Sequence, residues 1–264
     1  MKMIKNFTEI NKNDAGIAGG KGASLGEMIQ AGIPVPLGFV VSADAFERFL
    51  EEDDLNVEID SILHEVDPEA MHTIENASEK IQGLIKSAEM PNDIIKEIEK
   101  NFEKLGAEFV AVRSSATAED SASAAWAGQL DSFLNTTKEN LLKRVQDCWA
   151  SLFTPRAIFY RFEKDLHKTK ISVAVVVQKM VNSEKSGIAF SVHPVTEDYN
   201  QIIIEAGFGL GEAIVSGQIT PDSYVVEKEP RRIIDVNVAE QERGLFRRNA
   251  VEEKWLGTRL TATL

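Results

Sequence analysis

The spacing of apolar residues changes character along this chain, and the change limits the architectures open to it. Between residues 44 and 105 apolar side chains recur at helical intervals. Ile59, Ile62, Leu63 and Val66 share one face, Ile74, Ile81, Leu84 and Ile85 a second, and Ile94, Ile95, Ile98, Phe102 and Leu105 a third. Gly106 follows as a C-cap. From Phe109 onward the apolar runs shorten to strand length, at 109–112, 130–134, 171–180, 187–192, 202–206, 224–227 and 233–238, after an earlier strand at Phe39-Val40-Val41. Helical spacing returns at 137–153 and 156–166, with Pro155 suited to a helix start. Helices first and strands later predict the α+β class, not a repeated βαβ sheet. The block 44–105 is expected to be a helical cover with a solvated outer face.

Composition sets outer bounds on function. With 264 residues, 43% of them hydrophobic, the chain can fill one large core or two small lobes. A formal charge of −13 repels polyanions, which argues against nucleic acid or an anionic membrane as partner and makes each basic residue a local feature. The longest apolar run, 173–177, is too short to cross a bilayer, and no signal-like stretch follows Met1, so a soluble, cytoplasmic protein is expected. Cys148 is the single cysteine; no intrachain disulfide can form, and its amphipathic surroundings mark a buried structural thiol. His64, His72, His167 and His193 have no metal-ligand spacing and are expected to be surface or hydrogen-bonded residues.

Four segments have residue types that suit chemistry. In Gly19-Gly20-Lys21-Gly22-Ala23-Ser24-Leu25-Gly26-Glu27-Met28, glycines permit close backbone approach to phosphate and Lys21 supplies a mobile cation. It is not a Walker A loop, because Gly16 lies one residue too close to Gly20-Lys21 and Gly22 stands where a Ser or Thr would bind magnesium. A flexible turn is the bland alternative, with a short helix at 24–31 closed by Gly32. In Val112-Arg113-Ser114-Ser115-Ala116-Thr117-Ala118-Glu119-Asp120, continuing to Trp126-Ala127-Gly128-Gln129, an arginine at a strand end followed by a small-residue loop offers phosphate a planar fork. The alternative is an arginine paired with Glu119 or Asp120 on an ordinary surface loop.

The third segment, Ser172 to Val181, is an apolar strand ending in Gln178-Lys179-Met180. Such an end forms a slot for a purine, with Gln178 at the polar edge of the base and Val177 and Met180 as apolar wall, or else it is a core strand with a solvated tip. The fourth, Ile202-Ile203-Ile204-Glu205-Ala206-Gly207-Phe208-Gly209-Leu210-Gly211-Glu212, has glycines after a strand. It fails the dinucleotide fingerprint at Glu212, and its simpler reading is a tight turn with Glu205 and Glu212 solvated or paired.

These segments, in this order, resemble the nucleotide-binding domain shared by phosphoenolpyruvate synthase, pyruvate phosphate dikinase and rifampicin phosphotransferase. The resemblance covers about residues 4–238 and also includes Ala150-Ser151-Leu152-Phe153 and Gly209-Leu210-Gly211-Glu212 through Pro221-Asp222. It implies an ATP-grasp-like nucleotide-binding domain with a first lobe at 1–182, helical cover included, and a second at 183–264, adenine lying near their junction. It implies that Lys21 and Arg113 hold ATP phosphates and act in catalysis, that Gly128 and Ser132 help enclose them, and that Gln178 and Met180 lie by adenine. In the intact family site ATP works with Mg2+ and phosphorylates a histidine on a separate phosphohistidine domain, which delivers the phosphoryl group to an acceptor domain. The family often has Leu-Pro after the Glu-Asp pair, where this chain has Ser121-Ala122, and a polar residue before the aromatic, where it has Ala125. Its later segment, an acidic residue before Trp and then a strand leading to Gln-x-Arg-Pro, is not matched by Glu253-Lys254-Trp255. The second lobe is therefore expected to be incomplete, its metal ligands unknown and the isolated chain inactive. A rifampicin phosphotransferase-like domain and a non-catalytic nucleotide-binding module are the alternatives. The tail 240–264, with Arg243, Arg247 and Arg248 before Glu252 and Glu253, is expected to be a solvated or poorly packed end.

Overall fold

The computed structural model describes residues 2–117, 131–166, 172–247 and 253–257. Glu119, Asp120, the run 122–127, Gly128, Gln129, His167, Arg248 and Glu252 lie outside the described residues. Contacts divide the chain into two compact units, Met1–Met180 and Val181–Leu264.

The first unit is built on strand β5 (Val173–Lys179), whose residues Val173 to Val177 are all fully buried. A run of β-branched residues with no polar alternation suits a strand covered on both faces. Around it β1 (Ile4–Asn6), β2 (Gly38–Val41), β3 (Val110–Ala116) and β4 (Ser132–Thr136) complete an antiparallel sheet in the order β1-β2-β5-β3-β4. Side chains alternate across it. Val173, Val175 and Val177 join Val110, Val112 and the large core on one face, whereas Ala174, Val176 and Val40 meet Phe7, Ile10 and Ala18 on the other.

That large core is the inner face of the helical cover: α2 (Ala43–Glu51), α3 (Leu55–His64), α4 (Met71–Ser87), α5 (Asn92–Leu105), α6 (Leu141–Ala150) and α7 (Pro155–Glu163), numbered after α1 (Ala15–Gln30). Gly106 ends α5 in the left-handed conformation, at φ 58°. Thr154 caps α7 by accepting the Ala157 N–H, and Pro155 occupies the first turn, where its missing donor costs nothing. Cys148 is buried in this core, and burial pushes its thiol pKa well up, away from the thiolate form.

Two expectations are corrected here. The glycine-rich segment is not a loop followed by a short helix at 24–31; it is helical from Ala15 to Gln30, broken only at Gly19 (φ 67°, ψ 169°). Nor does the strand stop before Arg113. Arg113, Ser114 and Ser115 pair with Val176, Val175 and Ala174, so the ladder with the central strand draws residues of low strand propensity into β3.

The second unit has an antiparallel sheet in chain order, β6 (Lys185–Phe190), β7 (Gln201–Phe208), β8 (Asp222–Glu227) and β9 (Arg232–Asn237), with the single-turn helix α8 (Glu212–Val215). The tail is not simply solvated: β10 (Arg243–Arg247) pairs antiparallel with β11 (Glu253–Gly257), and Leu245 is buried. Gln241 is buried as well. Its Oε1 accepts the Phe208 N–H at 3.1 Å and its Nε2 donates to the Ala206 carbonyl at 3.2 Å, so a side-chain amide supplies backbone-like bonds where β8 ends opposite Ala206. Both units mix helix with antiparallel sheet, which is the α+β class. No described helix is long and apolar enough to cross a membrane.

Trp149 anchors the cover, with ring centroids 5.6 Å from Phe46 and 4.8 Å from Phe49, and its Nε1 has no hydrogen-bond partner among the described residues. Trp149→Ala is expected to cost about 3–5 kcal/mol in denaturant unfolding. Trp149→Phe keeps ring packing and removes an unsatisfied donor, so its cost should be well under half of that.

Candidate functional site

Cross-strand pairs point to one face of a sheet, so the register of the first unit shows which predicted residues meet. Arg113 on β3 pairs with Ser132 on β4 and with Val176 on β5, and Ala111 pairs with Gln178. Arg113, Ser132 and Gln178 therefore share the face that α1 packs on. They lie on three adjacent strands, spaced by the usual ~4.8 Å between strands and ~6.8 Å between same-face neighbours. The apolar cover of this face includes Ala174 and Val176, and at Arg113 and Gln178 it turns polar and half-buried. No hydrogen bond or ion pair engages Arg113 among the described residues. Gln178 donates from Nε2 to the Pro36 carbonyl at 3.2 Å.

Lys21 reaches the same strand end from α1. Its backbone N–H donates to Ser115 Oγ at 3.1 Å and its ammonium donates to the Ser114 carbonyl at 2.9 Å. The break at Gly19 makes this possible: a Cβ there would overlap both Ser115 Oγ and the Ser115 carbonyl, and φ 67° disfavours any side chain. Gly26 is likewise pressed on the Ile10 carbonyl, and Gly22 on Ala18 and Val40. At these positions the missing side chain lets α1 approach protein backbone and side chains.

Met180 lies just beyond β5. Its N–H donates to Phe109 O at 3.1 Å, and its Sδ accepts the Asn135 N–H at 2.9 Å. Val177 is on the opposite face, in the core beneath the helical cover, and cannot join Met180 in a wall beside Gln178. Gly128, the remaining predicted member, lies outside the described residues. Sequence reasoning missed Ser115 as a structural acceptor, although its place in a hydroxyl pair after Arg113 was visible. It also missed Asn135, a buried residue at φ 50° whose side-chain amide has no partner among the described residues; no pattern distinguishes it.

In the second unit, Gly209 has φ 83°, and a Cβ there would overlap the Leu245 carbonyl. Its N–H donates to Glu184 O at 2.8 Å, its carbonyl accepts the Ser183 and Ser186 hydroxyls, and the Leu210 N–H donates to Leu245 O at 2.6 Å. This is a tight turn held by its own unit. His193 accepts the Val195 and Thr196 N–H groups and so organises a loop. Among the described residues no group of three or more His, Cys, Asp or Glu could hold a metal.

A sheet face that combines a guanidinium with no partner among the described residues, a hydroxyl and an amide, with a lysine tied to its edge, is suited to a ligand bearing both anionic oxygens and a polar ring edge. Residues 15–259 match the pyruvate phosphate dikinase, AMP/ATP-binding domain family, and the chain belongs to it. It is 49% identical over 249 residues to a probable phosphoenolpyruvate synthase of Methanocaldococcus jannaschii, a match spanning 92% of this chain and 21% of that protein. A probable phosphoenolpyruvate synthase of Methanothermobacter thermautotrophicus is 45% identical, with 91% and 36% covered, and the phosphoenolpyruvate synthase of Pyrococcus furiosus is 40% identical, with 91% and 34% covered. The chain thus spans about a fifth to a third of the length of these curated relatives.

Two outcomes follow from this geometry. Gly19→Ala forces a side chain into Ser115 at a positive φ and should cost about 2–4 kcal/mol, whereas Gly32→Ala, with positive φ but open space around it, should cost only about 1 kcal/mol; denaturant titration separates them. Asp131, whose carbonyl accepts from Ser114, has its carboxyl pKa raised, first by partial burial and also by the like charge of Asp147, with Lys86 opposing. The native state binds that proton more tightly than the unfolded chain, so stability falls as pH rises from the unfolded value of about 3.9 through the raised native one. Asp131→Asn should raise the thermal midpoint at pH 7 and leave it nearly unchanged at pH 3.

Proposed function

We propose that this chain binds ATP through its first unit and serves as the nucleotide-binding part of a phosphoenolpyruvate synthase-like phosphotransferase of the cytoplasm, its two units being ATP-grasp-like lobes. The observation that carries the reading is the shared face of Arg113, Ser132 and Gln178, with Lys21 bonded to the end of the same strand. Arg113 and Lys21 supply the positive charge that a triphosphate needs, and a half-buried site strengthens such contacts relative to water. Ser132, with Gly128 four residues before it in sequence, would help enclose the phosphates, while Gln178 would read the polar edge of adenine and Met180 would pack near it.

In this role the chain's task is positioning and charge neutralisation, which supply most of the catalysis in phosphoryl transfer. The phosphoryl acceptor would be a histidine on a separate phosphohistidine domain, from which a further domain would take the group to its substrate. Magnesium, when present, would neutralise phosphate charge. The described residues offer cations but no carboxylate cluster that fits it. The names of the relatives favour phosphoenolpyruvate synthase over a rifampicin phosphotransferase-like domain.

Isothermal titration of the 264-residue chain with ATP tests the reading. Losing one charge-assisted phosphate contact is worth about 1.5–3 kcal/mol, so Lys21→Ala and Arg113→Ala should each weaken binding on the order of 10- to 100-fold. Parental affinity in both variants would remove these residues from the site.

A further inference from the structure

We propose that Ser115 is a positioning residue that sets the Lys21 ammonium relative to the Arg113 guanidinium; this rests on the nucleotide reading above. The break at Gly19 starts a new helical run at Gly20, and the first N–H groups of any helix have no intrahelical acceptor. Local side chains usually supply the acceptor, but residues 19 and 20 are both glycine. Instead, Ser115 Oγ accepts the Lys21 N–H at 3.1 Å and the Gly22 N–H at 3.4 Å from a strand more than ninety residues away in sequence.

The result is a two-point tether. The Lys21 backbone is held by Ser115 and its ammonium by the Ser114 carbonyl, the two residues that directly follow Arg113. Ser115 and Arg113 are two positions apart on one face of β3, and pairing with Ala174 and Val176 fixes both against the central strand. Of the contacts that join Lys21 to β3, the Ser115 hydroxyl is the one a substitution can remove without changing a charge or the sheet ladder. Without it the helix start loses its acceptor and is free to shift along β3, taking the lysine with it. Ser115 need not touch the nucleotide in this role. The hydroxyl pair beside Arg113 thus divides its work: Ser114 Oγ donates to the Asp131 carbonyl at 2.8 Å and ties β3 to the start of β4, while Ser115 ties β3 to α1.

A double-mutant cycle on the 264-residue chain tests this, with ATP binding measured by calorimetry for the parent, Ser115→Ala, Lys21→Ala and the double variant. Loss of an N-terminal cap is typically a factor of about ten in an equilibrium, and the expected loss of ATP affinity in Ser115→Ala is about tenfold. In the Lys21→Ala background the same change should cost less than about twofold, because no ammonium is left to place. Should Ser115→Ala fail to fold, Ser115→Cys, which keeps the volume with a weak acceptor, is measured in the same cycle and should behave alike. Parental ATP affinity in the serine variants, or losses that add in full to that of Lys21→Ala, would overturn the inference and assign Ser115 to stability alone. A Lys21→Ala chain with parental affinity, or a parent chain that binds no ATP, would overturn the nucleotide reading and this inference together.

Discussion

The Ser115 hydroxyl sits where α1 breaks at Gly19, and the two N–H bonds it accepts join the helix to β3 at a point where no side chain on residue 19 would fit. Much of the first unit's site geometry depends on that joint. Shape sets how close the helix comes, since the Ser115 carbonyl occupies the volume of a Cβ. Hydrogen bonding sets its register along the strand, since the orphaned amides at the helix start need an acceptor at one position. Together these place Lys21 beside a strand whose own pairing places Arg113.

The sheet explains why the neighbouring side chains are polar. β5 is buried on both sides through Val173 to Val177, and one more residue brings the half-buried Gln178. On β3 the change comes at Arg113, whose guanidinium has no partner among the described residues. A fully buried unpaired charge would cost several kcal/mol, so this arginine is tolerable only because its face is partly open to water. The opposite face has no such freedom: Val112 and Val177 pack beneath the helical cover, in the same core as Trp149, Phe46 and Phe49.

Much of this was legible in the sequence where a single physical rule operates. The faces of Ile74, Ile81 and Ile85 on α4, and of Ile94, Ile98 and Phe102 on α5, follow from the helical period, and all six are buried. The apolar run of β5 and the left-handed cap at Gly106 follow from equally local signals. The failures occur where a distant partner decides. Arg113-Ser114-Ser115 resembles a loop until β5 pairs with it, and Glu240 to Leu264 looks solvated because its many charges hide the few residues, Gln241, Gly244 and Leu245 among the described ones, that are buried. Val177 was placed on the wrong side of β5 because a fully apolar strand has no alternation from which to assign faces. The resemblance to a family singled out Lys21, Arg113, Ser132 and Gln178, and the sheet register puts the last three on one face, whereas the tether between Lys21 and Ser115 is visible only in the three-dimensional structure.

The two glycine clusters show why composition alone is a poor guide to phosphate sites. Gly19 and Gly209 lie in different units, yet both have positive φ and both press on a carbonyl of a neighbouring segment, Ser115 in one case and Leu245 in the other. In each case hydroxyls and amides of the chain itself complete the arrangement: Ser115 Oγ at the first, and Ser183, Ser186 and the Leu210 N–H at the second. A glycine loop that cradles phosphate must keep its N–H groups free to donate to the ligand. Here the Lys21, Gly22, Gly209 and Leu210 amides are already donated to protein oxygens. The glycines therefore build the joints, and at the first of them the joint holds in place the Lys21 side chain.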